Sequence, residues 1–113
     1  MIVSAWHDGH GSYGLRIVGG TTGLWFRPEW QWVTVYLPDE SAPACIALTE
    51  GFWSGSPVLR SPRIRRFLVR NDLVAWPRNR PPHFELDPKG GGVFRLKWLE
   101  KVGRKTRLET RER

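Results

Sequence analysis

Cysteine is all but missing from this chain of 113 residues, where Cys45 stands alone. No intrachain disulfide can form, which excludes a small secreted scaffold stapled by bridges. Long hydrophobic runs are missing too. No stretch approaches the roughly 18 consecutive apolar residues of a membrane-spanning helix. The opening MIVSAWHDGHG has no basic segment followed by an apolar run of leader length. The expectation is a cytoplasmic protein that does not enter a membrane. Histidine is scarce, with only His7, His10 and His83. His7-Asp8-Gly9-His10 offers metal-ligand types, yet no cysteine lies near it, so a glycine-rich surface turn is the preferred reading and no metal or cofactor is expected. Motifs that name a reaction are lacking: no nucleophile elbow, no P-loop and no dinucleotide fingerprint is read from the chain. Gly19-Gly20 and Gly90-Gly91-Gly92 have no following lysine or helix start to make a phosphate cradle. Cys45, in an apolar stretch, reads as an inert small hydrophobe rather than a nucleophile. No catalytic residue is assigned.

Tryptophan, glycine, proline and arginine are abundant. Seven tryptophans and a hydrophobic content of 40% exclude disorder. Twelve glycines and nine prolines are too many for a helical bundle and suit short strands with tight turns. The length allows one domain, 1–113, with residues 104–113 read as a frayed basic tail. Charge is unevenly placed. Residues 1–59 hold two basic and five acidic residues, a net of −3, while residues 60–113 hold sixteen basic and six acidic residues, a net of +10. Such asymmetry points to an anionic partner, either nucleic acid or another polyanion.

Period-2 patterning dominates the chain. Ile2 to Trp6 and Tyr13 to Val18 read as strands, the second with Tyr13, Leu15 and Ile17 on one face. QWVTVYL, Gln31 to Leu37, is the strongest strand, with β-branched and aromatic residues on both faces, and Ala44 to Leu48 is expected to pair with it. His83 to Leu86 and Val93 to Leu99 form a late hairpin around Asp87-Pro88-Lys89-Gly90-Gly91-Gly92, with Phe94, Leu96 and Trp98 toward the core. Only Arg60 to Pro82 breaks the period. There Ser61 is an N-cap, Pro62 fits the first helical turn, and Ile64, Phe67 and Leu68 make an apolar stripe. The fold expected is mainly β: a small antiparallel barrel or strongly bent sheet of about six or seven strands, with one short α-helix near 62–71 across one open end or face.

That same segment carries seven arginines against one acid, Asp72. Phosphates are bound by guanidinium forks spaced along a surface, and single strands add aromatic platforms for bases. The expected nucleic-acid-binding residues are Arg63, Arg66 and Arg70 on the helix, Trp76, Arg78 and Arg80 on the proline-stiffened loop, and Arg95 and Lys97 on the last strand. Single-stranded nucleic acid or RNA is the preferred ligand. The chief alternative is a protein-interaction or homodimerisation module using the cluster Trp25, Phe26, Trp30 and Trp32. A further alternative is a small metal-independent ribonuclease using His10 or His83 with Glu85 and an arginine.

Overall fold

A computed structural model describes residues 1–77 and 79–99. Arg78 and the tail 104–113 therefore lie outside the described residues. The chain runs β1 (Ile2–His7), β2 (Tyr13–Ile17), α1 (Thr22–Trp25), β3 (Trp32–Tyr36), β4 (Ala44–Ala47), α2 (Glu50–Trp53), β5 (Val58–Arg60), α3 (Pro62–Arg70), β6 (His83–Gly90) and β7 (Val93–Trp98). All seven strands share one sheet in the order β4-β3-β7-β6-β1-β2-β5. The sheet bends until its edge strands β4 and β5 approach each other, giving a nearly closed barrel. This is the mainly β fold expected from the patterning. One pair departs from antiparallel: β3 runs parallel to β7, with Val35 opposite Phe94. The sheet is therefore mixed, because the long excursion through α2, β5 and α3 brings the late hairpin back beside β3 from the same end.

The helix begins and ends on side-chain chemistry. Ser61 Oγ accepts the Arg63 N–H at 3.1 Å, and Pro62 occupies the first turn, where its missing N–H costs nothing. At the other end Asn71 Nδ2 donates to the Phe67 carbonyl at 2.9 Å, and Asp72 turns left-handed with φ 59°. Between these caps Ile64, Phe67 and Leu68 are fully buried, as their spacing requires. Two further single-turn helices, α1 and α2, and the three-residue strand β5 have no signal in the sequence patterning. Elements this short contain too few residues to show a period.

Val33, Val35, Phe84, Phe94 and Leu96 are all buried alongside the helix stripe. Two aromatic groups organise this core. Phe26, the residue that follows α1, stacks on Phe94 at 4.9 Å and meets Phe52 of α2 at 5.0 Å, so both short helices are pinned to the core through aromatic contacts. Phe67 of α3 meets Phe84 at 5.8 Å, and Trp98 lies 5.5 Å from both. Trp98 is nonetheless 43% exposed, so it caps the core rather than filling it. Cys45 is exposed on β4, not interior, because the burial alternation of that strand turns it outward.

Candidate nucleic-acid interface

The expected arginine row does not survive as one surface. Arg63 folds back on the β3–β4 turn, where it donates to Glu40 Oε1 at 2.7 Å, to the Ala42 carbonyl at 2.6 Å and to the Pro43 carbonyl. Arg70 donates to the other oxygen of the same carboxylate, Glu40 Oε2, at 2.8 Å. The Glu40 side chain is only 13% exposed. The Arg70 and Arg63 guanidinium groups hold its carboxyl below the ordinary glutamate range, against the opposing effect of burial. Two of the three helix arginines thus clamp α3 to the sheet. Arg66 alone of that row is exposed without a carboxylate partner among the described residues.

The β7 patch is neutralised at Lys97, whereas Arg95 has no carboxylate within salt-bridge distance among the described residues. Arg95 and Lys97 stand opposite Asp87 and Glu85 in the β6–β7 register. Asp87 Oδ2 pairs with Lys89 at 2.8 Å and with Lys97 at 3.0 Å, and these two ammonium groups lower its carboxyl to about 2. Arg95 lies over Tyr36 at 5.3 Å. Arg80 is exposed on the loop, in a turn where its N–H donates to the Pro77 carbonyl at 2.9 Å.

Trp76 is half-buried rather than a free platform. Its ring lies 5.0 Å from His7 and 6.4 Å, edge-on, from Tyr13. His7 and Tyr13 are themselves partners across β1 and β2, so Trp76 covers the end of that strand pair. The Tyr13 hydroxyl donates to the Val74 carbonyl at 3.4 Å, and the loop continues beside β1, where the Ala5 N–H donates to the Pro82 carbonyl at 2.8 Å.

This strand end brings together residues that the sequence patterning did not. Trp6, Gly14 and Arg60 share one rung across β1, β2 and β5. Neighbouring strands are about 4.8 Å apart, so Arg60 must cross the middle strand to reach Trp6. It does so, with its guanidinium 4.5 Å from the indole ring centre. Glycine is required at the middle position by the close approach of β5: a Cβ on Gly14 would lie 2.5 Å from the Leu59 carbonyl oxygen and 2.8 Å from Val58 Cγ1. Arg65, on the flank of α3, reaches over Tyr13 at 6.0 Å. Arg16 projects, exposed, from the outer face of β2 that Gly14 shares, opposite the face that carries Tyr13. Arg16, Arg60, Arg65 and Arg66 have no carboxylate within salt-bridge distance among the described residues.

The His7–His10 turn is held by its own side chains. Asp8 Oδ1 accepts the His10 N–H at 2.7 Å and the Ser12 N–H at 3.1 Å, which lower the Asp8 carboxyl, His10 foremost. His7 Nδ1 accepts the Gly9 N–H at 3.1 Å. No group of three or more metal-ligating side chains converges among the described residues. Gly9, Gly11 and Gly14 have the GxGxxG spacing of dinucleotide sites, but here they join strand to strand and lack the helix start that such a site uses. His83 and Glu85 lie on β6, whereas His10 belongs to the β1–β2 turn.

The alternative cluster is divided as well. Phe26 is buried, and Trp30 packs edge-on to Phe94 at 6.5 Å. Trp32 and Trp25 remain exposed, at 59% and 40%. Among protein-family models, curated proteins and solved structures, none matches this chain.

Proposed function

We propose that the protein binds single-stranded nucleic acid along a surface that wraps the end of the β1–β2 pair, with Arg60 beside Trp6 and Arg16 on one face, Arg65 and Arg66 beside Tyr13 and Trp76 on the other, and Arg80 at the margin. The observation that carries this reading is the contrast between two sets of cations. Arg63, Arg70, Lys89 and Lys97 are paired with carboxylates, whereas Arg60 and Arg65 are laid over aromatic rings and keep no anion. A guanidinium packed on a ring keeps its in-plane N–H donors free for phosphate, and the adjoining rings provide faces for bases. The paired cations contribute to the fold instead.

A labelled oligonucleotide titrated at two salt concentrations tests the reading. Each neutralised phosphate on a single strand contributes about −0.7 to the slope of log K against log salt, so three arginines give a slope near −2. Arg60→Gln and Arg65→Gln each weaken binding and flatten that slope, while Arg70→Gln leaves both nearly unchanged. Equal effects from all three variants would overturn the assignment, and no binding at low salt would overturn the function.

A second reading rests on Trp32, Trp25 and Leu24, which are exposed on the acidic half of the chain. In that reading the chain is an interaction or dimerisation module, and its partner binding is nearly independent of salt. Sedimentation of the protein with and without Trp32→Ser separates the dimer form of this reading from a monomeric nucleic-acid binder.

A further inference from the structure

Because β1 runs antiparallel to β6, the β6–β7 turn lies at the end of the sheet opposite the β1–β2 turn. Between that turn and α1 is a groove of about 410 Å³. Ligand sites run from about 300 to about 1,000 Å³, so this volume is within their range. Buried Phe94 and half-buried Trp30 line its depth, edge-on to each other at 6.5 Å. Leu24 and Trp25 line it from α1, and Leu24 is 76% exposed. The facing wall is bare backbone: Gly91 and Gly92 have φ of 64° and 83°, and a Cβ on Gly92 would stand 3.8 Å from the Trp30 ring. A wall without side chains admits the close approach of another backbone.

The polar side chains of this lining are all donors. They are the Arg27 guanidinium and the indole N–H groups of Trp25 and Trp30, and no carboxylate, hydroxyl or amide side chain lines the groove. Arg27 has no carboxylate within salt-bridge distance among the described residues. An occupant suited to such a wall accepts hydrogen bonds, packs flat on indole and brings few donors of its own. A run of prolines has these properties. It lacks N–H groups, leaves its carbonyls free in an extended helix without internal hydrogen bonds, and loses little entropy on entering an aromatic groove. An acidic side chain within the run answers Arg27.

We infer that this groove docks an extended proline-rich segment of a partner protein, with an acidic side chain of that segment at Arg27. The inference does not rest on the nucleic-acid reading, whose surface is at the other end of the sheet. It differs from the dimer reading too, since it gives Leu24 and Trp25 a different occupant.

The test is titration of the full chain with a short polyproline peptide carrying one glutamate, followed by backbone and indole N–H chemical shifts. Binding should move the Trp25 and Trp30 indole signals and the Gly91 amide. A peptide with alanines in place of the prolines should bind at least about tenfold more weakly, because it loses both the ring packing and the preformed extended shape. Glutamine in place of the peptide's glutamate should cost about two- to fivefold, the size of an exposed ion pair. Arg27→Gln should cost the same factor, and the two changes together no more than either alone. Trp25→Ala should abolish the shifts and leave the thermal midpoint nearly unchanged, since no residue of α1 is buried. An alanine peptide that binds as tightly as the proline one would overturn the inference, and so would unchanged binding to Trp25→Ala. Sedimentation supplies a further outcome: a chain that dimerises, and ceases to with Trp25→Ala, has a second copy in the groove, which refutes the partner segment. A saturating oligonucleotide should leave the peptide's affinity unchanged, and displacement of the peptide would refute the separation of the two sites.

Discussion

At the scale of single residues, the decisive ones are Glu40 and Gly14, neither of which carries a cation. Glu40 takes Arg63 and Arg70 out of the pool available to a ligand. Glu40→Gln should lower stability by about 1–3 kcal/mol in urea unfolding, the cost of weakening partly buried charged hydrogen bonds, with the exposed Arg70 arm at the low end. The sign with pH follows from the lowered carboxyl. The Glu40 contribution is full above its ordinary value of 4.5 and fades as pH falls through the lower folded value. The parent and Glu40→Gln should therefore converge in midpoint as the solution is acidified. Gly14→Ala drives a Cβ against the Leu59 carbonyl, whose strand backbone cannot yield cheaply. A loss of about 1–3 kcal/mol is expected from this overpacking. A Gly14→Ala protein that keeps its thermal midpoint would refute the close approach of β5 to Gly14. Trp76→Ala should destabilise the fold as well as reduce binding, since its ring covers His7 and Tyr13 instead of standing free.

At the scale of elements, α3 shows why an arginine-rich helix has several functions at once. At 100° per residue, the apolar stripe of Ile64, Phe67 and Leu68 is centred about 90–110° from Arg63 and Arg70 on one side and about 110° from Arg65 on the other, with Arg66 nearly opposite. Residues on a flank reach whatever the neighbouring element offers. One flank meets the carboxylate and carbonyls of the β3–β4 turn, and the other meets the ring of Tyr13. The stripe itself is tested by Phe67→Ala, which should cost about 3–5 kcal/mol in urea denaturation. The β6–β7 hairpin is tested by pH. Asp87, lowered to about 2 by Lys89 and then Lys97, stabilises the hairpin fully above its ordinary value of 3.8, and that contribution is lost as pH falls toward about 2. Thermal midpoints at about pH 4 and about pH 2 should differ less for Asp87→Asn than for the parent, and high salt should narrow the parent's difference because the pairs are exposed.

At the scale of the whole molecule, much of the fold was legible in the sequence because it rests on local rules. Alternating burial in β3, β4 and β7, the Ser61-Pro62 start of α3 and the glycine turn of the late hairpin are all short-range patterns that backbone geometry and burial impose directly. The uneven charge is likewise a property of sequence. Which cations remain available is not. Arg63 and Arg65 have nearly the same local surroundings in sequence, yet one meets a carboxylate 23 residues away and the other a tyrosine ring on β2. The rung Trp6–Gly14–Arg60 joins three segments whose register depends on the β1–β2 and β2–β5 pairings. The parallel meeting of β3 and β7 depends on how the sheet closes. Period and capping are dictated by neighbours along the chain, so the sequence alone determined every strand but the three-residue β5, the long helix α3 and the stripe that buries it. Pairing of charges and stacking of guanidinium on ring depend on neighbours across the sheet, and these only the tertiary structure decided, because a side chain's electrostatic partner is set by distance in space.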